Sequence, residues 1–223
     1  MTLTKQEISR GYDAIAERVG LSPKFYRASV RMAGPLAGRV FDLGCGRGFL
    51  LEEIRRRFPN TALFGTDLSG VLVREARTRN PEGRFFQGDA EWLPFRADSC
   101  DHVFLTEVLE HLLDYKRGLS EIYRILRPGG TLLVTVPNRD WLRYDAYMAR
   151  RTPFQPVDDH WFTKTELEGL LIAAGFRIER IGGGETLLQR SGLPRLLERV
   201  AIALNPALSH RMKRLMIRAR KER

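Results

Sequence analysis

The chain has 223 residues and a net charge of +10, room for one α/β domain with additions. No apolar run approaches the ~18 residues of a membrane span, and the start MTLTKQEISRGYD lacks the apolar region of a secretory signal. Cys45 and Cys100 make neither a disulfide framework nor a metal cluster. A reducing, cytoplasmic setting without a metal site is expected, and the positive charge suggests an acidic partner such as a nucleic acid, a membrane surface or an anionic substrate.

Residues 4–18 read as a helix. Thr4 and Glu7 fit a capping box, and Ile8, Tyr12, Ile15, Ala16 and Val19 form a helical stripe that Gly20 ends. Ser22-Pro23 opens a second helix, with Phe25, Tyr26 and Met32 as packing residues.

The chain is organised around residues 39–51, RVFDLGCGRGFLL. Val40 to Leu43 read as a short buried strand, Gly44-Cys45-Gly46-Arg47-Gly48 as a turn, and Phe49 as the start of a helix. Strand, glycine turn and helix open a βαβ unit that binds a nucleotide-like ligand. Glycine permits positive φ and a close ligand approach, while free N–H groups at the helix start favour negative charge. The dinucleotide pattern G-x-G-x-x-G would require a glycine at position 49. That position holds Phe49, and the third glycine is Gly48.

VFDLGCGRG, with Asp42 two positions ahead of the first glycine, resembles motif I of the class I methyltransferases that use S-adenosylmethionine (SAM). The resemblance implies that Asp42, Gly44, Cys45, Gly46 and Gly48 build the cofactor site. It also implies that the N-terminal helices lie over the cofactor, so that Tyr12 and Tyr26 line its pocket; plain helix packing is the alternative for both.

Residues 62–66 are a second strand ending at Asp67. A carboxylate at this strand tip can accept both ribose hydroxyls. It can equally cap the next helix, and the two roles are compatible. By the resemblance, Leu68 packs on the adenine. Residues 84–87 are a third strand, followed by GDAEWLPF. That segment resembles the family's G-D-A-x-x-L-P-F, in which Asp89 accepts from the adenine amino group and the Ala90 N–H faces a ring nitrogen. Residues 100–106 are a fourth strand leading into EVLEHL, also family-like. The backbone at Thr106 and Glu107 is expected to pass the methionine end of SAM. The Asn/Asp-Pro-Pro-aromatic and Pro-Cys motifs of DNA base methyltransferases are absent.

Residues 115–126 are an amphipathic helix, Arg127-Pro128-Gly129-Gly130 a sharp turn, and residues 131–136 a fifth strand. Its unbroken apolar run suits a strand buried on both faces. Residues 138–162 mix aromatics with Arg, Asp and Pro and are read as a substrate lid. Thr163 and Glu166 form another capping box, opening a helix that ends near Gly175. Residues 176–181 and 185–189 are read as the last two strands.

From Arg190 onward there are ten Lys or Arg against two Glu. Leu193, Leu196, Leu197, Val200, Ala201 and Leu204 share one helical face, and Leu208, Met212, Leu215 and Met216 are also helically spaced. Residues 191–223 are therefore read as a basic amphipathic helical extension. Its stripes can pack on the protein's own core, on a second copy in a homodimer, on an anionic membrane or on nucleic acid.

Together the motifs imply a Rossmann-like, seven-stranded, mostly parallel sheet with helices on both faces. The domain spans residues 1–190, with a helical cap at 1–35 and the lid at 138–162. The expected activity is SAM-dependent methyl transfer, with S-adenosylhomocysteine (SAH) as product, to a small-molecule or lipid-like acceptor at oxygen. The expected location is cytoplasmic, peripheral to the membrane if the tail binds lipid. If a hydroxyl is methylated, a base is needed. His160, beside Asp158 and Asp159, is the first candidate and His111 the second; for His160 the alternative is a structural role at the Thr163 cap. The rival functions are an RNA or protein methyltransferase guided by the basic tail, and a non-catalytic SAM-binding or membrane-associated module.

Overall fold

The computed structural model describes residues 3–150, 155–157, 160–184, 201–202 and 204–222. Its strands are β1 (Arg39–Leu43), β2 (Ala62–Asp67), β3 (Arg84–Gln87), β4 (Cys100–Thr106), β5 (Leu126–Pro137), β6 (Phe176–Gly184) and β7 (Arg214–Lys221). They form one sheet in the order β3-β2-β1-β4-β5-β7-β6. The pairs from β3 to β5 are parallel, and β7 runs antiparallel to both β5 and β6.

The helices are α1 (Lys5–Ala14), α2 (Pro23–Ala33), α3 (Phe49–Arg57), α4 (Gly70–Arg79), α5 (Tyr115–Ile125), α6 (Tyr144–Met148) and α7 (Lys164–Ala173). Thr4 and Thr163 cap α1 and α7 in capping boxes with Glu7 and Glu166, as expected. Ser22 caps α2, with Pro23 in its first turn.

The sheet is covered on both faces, which explains its apolar runs. Leu132, Val134 and Val136 of β5 pack with α5 and α7. Leu133, between them, joins Val40, Leu63 and Phe104 against α2, α3 and α4. β5 starts earlier than expected: Arg127 to Gly130 lie within it, with Gly129 at φ +80° and a register shift opposite residues 100–102.

The largest correction concerns the C-terminus. Arg214–Lys221 is not part of a helical extension but a strand between β5 and β6. Leu215, Ile217 and Ala219 pack into one core layer and Met216 into the other. The residues Leu208, Met212, Leu215 and Met216 do fit a 3.6-residue period, but Leu215-Met216-Ile217 is also a run for a strand buried on both sides, and tertiary burial decides between them. The sheet domain thus reaches residue 221 rather than ending at 190. Residues 185–189, read as a strand, and most of the stripe from Leu193 to Leu204 lie outside the described residues, although 201–202 and 204 are helical. Much of the basic charge in β7 is matched internally. Arg214 pairs with Glu107, Arg218 and Arg220 with Glu179, and Lys221 with Asp98. Among the described residues, no helix is long and apolar enough to cross a membrane.

Candidate active site

A cavity of about 330 Å³ lies along the carboxyl edge of the parallel strands, where an open α/β sheet takes its ligand. Its wall includes eleven expected site residues: Tyr12, Asp42, Gly44, Cys45, Gly46, Asp67, Leu68, Asp89, Ala90, Thr106 and Glu107. Tyr26 and His111 are there too. Gly48 and His160 are not among the lining residues.

The glycine turn is tied to the tip of β2. Gly44 and Cys45 donate to the Thr66 carbonyl at 2.7 and 2.9 Å. Asp67 accepts from Gly46 N–H at one oxygen and from Ser69 N–H at the other, each at 2.9 Å. Gly44 has φ +71°, and a Cβ there would lie 2.2 Å from Val108 Cγ2. Gly48 has a packing task. It is the left-handed N-cap of α3, and a Cβ on it would sit 2.6 Å from Asn80 Nδ2 and 3.1 Å from Ala76 Cα. It lets α3 approach α4.

The site is strongly desolvated. Asp42 is fully buried, and its Oδ1 has no hydrogen-bond partner among the described residues. Burial, then the nearby Asp67 charge, push its carboxyl well above the usual range. Burial likewise raises Asp67 against its two backbone hydrogen bonds, and raises the Cys45 thiol. Tyr26 is pushed to about 12, mainly by burial.

Helix α1 is docked on these same loops. Ser9 Oγ donates to the Leu68 carbonyl at 2.8 Å, and Asp13 Oδ1 accepts from Ser69 Oγ and from Val71 N–H. Lys5 Nζ is 3.2 Å from Asp89 Oδ2. Tyr12 donates to Gln155 Oε1 at 3.2 Å, joining α1 to the stretch after β5.

Past β4, Glu107 is one of two non-glycine residues at positive φ, +56°, among the described residues. Such strain concentrates at functional sites. Its carboxylate accepts from Thr135 Oγ1 at 3.0 Å and pairs with Arg214 Nε at 2.8 Å. Trp161, Tyr147 and Arg214 complete this end of the wall. Sequence reading offers Tyr147, with Tyr144, as a weaker substrate-contact candidate and leaves out Trp161 and Arg214. Arg214 enters the site only because residue 214 starts a central strand, and the Trp161 and Tyr147 positions follow from how the stretch after β5 folds back.

His160 is placed for structure. Its Nε2 is 2.7 Å from Glu166 Oε1, the capping-box residue of α7, and its ring stacks on Tyr115. The Asp158 and Asp159 carboxylates that motivated a base lie outside the described residues. His111, on a 3₁₀ turn at Leu109–His111, is the one histidine of the cavity wall among the described residues. No cluster of His, Cys, Asp and Glu among those residues could hold a metal ion.

The residues present suit a cofactor with ribose hydroxyls and a cationic end. A bidentate acceptor stands at the tip of β2, an unpartnered carboxylate oxygen lies beside the turn, and the glycines leave room for close approach.

Residues 41–134 match the methyltransferase domain family. A probable S-adenosylmethionine-dependent methyltransferase of Mycolicibacterium smegmatis is 36% identical over 153 residues, covering 67% of this chain and 56% of that protein. A trans-aconitate 2-methyltransferase of Variovorax paradoxus is 35% identical over 109 residues, 48% of this chain and 42% of the relative. The chain thus spans about half the length of these relatives. Among solved structures, the methyltransferase complexed with the activator Trm112 of Haloferax volcanii superposes with a TM-score of 0.75 at 24% identity, covering 97% of this chain and 98% of that one. A SAM-dependent methyltransferase of Thermotoga maritima gives 0.71 at 21% identity, covering 96% and 100%. This chain carries a methyltransferase domain of the class I, SAM-dependent type.

Proposed function

We propose that the chain transfers a methyl group from SAM to an oxygen of a small-molecule or lipid-like acceptor. The observation that carries this reading is the reach of one cavity, from Asp67 and Asp89 on one side to Trp161 and Arg214 on the other. Such a cavity can hold a cofactor and an acceptor end to end. Bound SAM would supply an activated methyl group on a sulfonium. The chain's own residues then hold the two molecules in line and exclude water. Asp67 would take the ribose, Asp89 and Ala90 the adenine, and Asp42 would face the cationic end. Helix α1 would close over the site.

A small acceptor at oxygen also agrees with what two relatives are called: the trans-aconitate methyltransferase above, and a malonyl-[acyl-carrier protein] O-methyltransferase of Methylococcus capsulatus, 28% identical. An oxygen acceptor is either a hydroxyl, which must lose its proton, or an acid oxygen already ionised at neutral pH. For a hydroxyl, His111 is the wall residue suited to take the proton. The test is calorimetric titration with SAH beside NAD. Micromolar SAH binding without NAD binding supports the reading; binding of NAD alone, or of neither, overturns it.

A further inference from the structure

Glu91 is a buried carboxylate that methyl transfer as read above does not use. It is 4% exposed, and a buried acid is retained where donors or a cation meet it. Lys5 Nζ reaches Glu91 Oε1 from α1, and the Leu113 N–H donates to the same oxygen at 2.8 Å. Arg117 Nε of α5 donates to the Glu91 carbonyl at 2.9 Å. The loop after β3, which carries Asp89, is thereby tied to α1, to α5 and to the turn before α5.

Lys5 also holds Asp89 itself. Its Nζ is 3.3 Å from Asp89 Oδ1 and 3.2 Å from Oδ2, and the Glu91 N–H donates to Oδ1 at 2.9 Å. One ammonium thus bridges two carboxylates, one buried in the loop and one on the cavity wall. Lys5, Ser9 and Asp13 recur at every fourth position and share a face of α1. Ser9 and Asp13 bond the loop after β2 at Leu68, Ser69 and Val71. A single helix face therefore fastens both loops of the adenine end. A carboxylate on a cavity wall turns easily about its last bond, and a ligand that covers it strips water from its charge. The Lys5 ammonium and the Glu91 N–H fix its plane and offset that charge. A carboxylate only accepts, so a fixed one selects a donor edge. Adenine presents a 6-amino donor, whereas a 6-oxo purine presents an acceptor at the same place.

Resting on the assignment of Asp89 to the adenine above, we propose that Lys5 is a specificity-determining positioning residue: it holds the Asp89 carboxylate so that the site takes a cofactor with a 6-amino purine over one with a 6-oxo purine. Lys5 acts through Asp89, because an ammonium only donates and cannot accept from the amino group. Glu91 is the anchor of this arrangement. The lysine stem is flexible, and the buried Glu91 carboxylate keeps the ammonium beside Asp89 instead of in solvent.

The experiment titrates the full chain calorimetrically with SAH and with S-inosylhomocysteine, whose purine carries the 6-oxo group. The wild type is expected to prefer SAH. Lys5→Met should weaken SAH about tenfold and leave the inosyl compound within about twofold, so that the preference narrows. The double variant Lys5→Met/Glu91→Gln, which removes the buried charge along with its cation, should show the same narrowed preference. A lower melting temperature with an unchanged preference marks a merely structural ion pair and overturns the proposal. So does a larger loss for the inosyl compound, which would put Lys5 on the purine itself. Asp89→Asn separates the two levels. If it leaves the preference unchanged, the adenine assignment fails and the proposal with it; if it removes the preference while Lys5→Met does not, the proposal alone fails. Failure of SAH to bind the wild type would instead remove the methyltransferase reading.

Discussion

Gly46 donates its backbone N–H to Asp67 Oδ2 at 2.9 Å, so the glycine turn and the acid at the tip of β2 form one unit. The other Asp67 oxygen accepts from Ser69 N–H. Asp67→Asn keeps the size of the side chain but turns an NH₂ group toward one of these N–H donors. The expected outcome is a loss of ~1–3 kcal/mol in SAH affinity, about 5- to 150-fold, together with a lower melting temperature. Calorimetry and thermal unfolding of the same sample check both.

Gly44 and Gly46 should respond differently to alanine. At Gly44 the new Cβ meets Val108 at 2.2 Å, so Gly44→Ala should destabilise the fold by more than the ~1–2 kcal/mol of left-handed strain alone. At Gly46 the nearest atom is Val19 Cγ1 at 3.7 Å, so only the strain applies to the protein itself. Gly46→Ala should therefore fold, yet bind SAH weakly because the methyl group enters the cavity. Comparing unfolding with SAH titration separates the two effects.

Cofactor binding should release protons. Asp42 and Asp67 have raised pKa values in the folded chain, so between their ordinary and raised values the folded state holds protons that the unfolded chain has lost. Their contribution to stability is complete below the ordinary value of ~4 and is lost as pH rises through the raised values. A cationic ligand favours the ionised forms, so SAM affinity should increase with pH. Titrations in two buffers of different ionisation enthalpy should show net proton release, reduced in Asp42→Asn.

His102 should have the opposite effect on stability. Its Nδ1 is 2.7 Å from Thr131 Oγ1, its Nε2 accepts from Ala37 N–H, and burial lowers its pKa to about 4. The unfolded chain then takes a proton first. Stability from this group is present above ~6.5 and is lost as pH falls from there toward 4, by up to about 3 kcal/mol. Urea midpoints for the wild type should fall over that window, and those of His102→Gln should change less.

Two further variants test the placement of His160 and of the C-terminal strand. His160→Ala should keep turnover within about twofold and lose under ~1 kcal/mol of stability, because its pair with Glu166 is exposed. A drop of a hundredfold or more would restore it as a catalytic group. Deleting residues 212–223 should abolish cooperative unfolding, since it removes a strand paired on both sides. A true surface tail would be lost without that effect.

The sequence by itself determined the parallel half of the sheet and most of the residues that line one end of the cavity. Those features are local: a glycine turn after a strand, an acid at a strand tip and two capping boxes each use contacts within a few residues. Tertiary structure decided the rest. Leu215-Met216-Ile217 is a strand because both core layers bury it, whereas the spacing of Leu208, Met212, Leu215 and Met216 fits a helix equally well. Gly48 serves the packing of α3 on α4 because Asn80 and Ala76 arrive there from about thirty residues away. The far wall of the cavity includes Arg214, which meets Glu107 across more than a hundred residues of chain, and no local pattern of charge or hydropathy encodes that pairing.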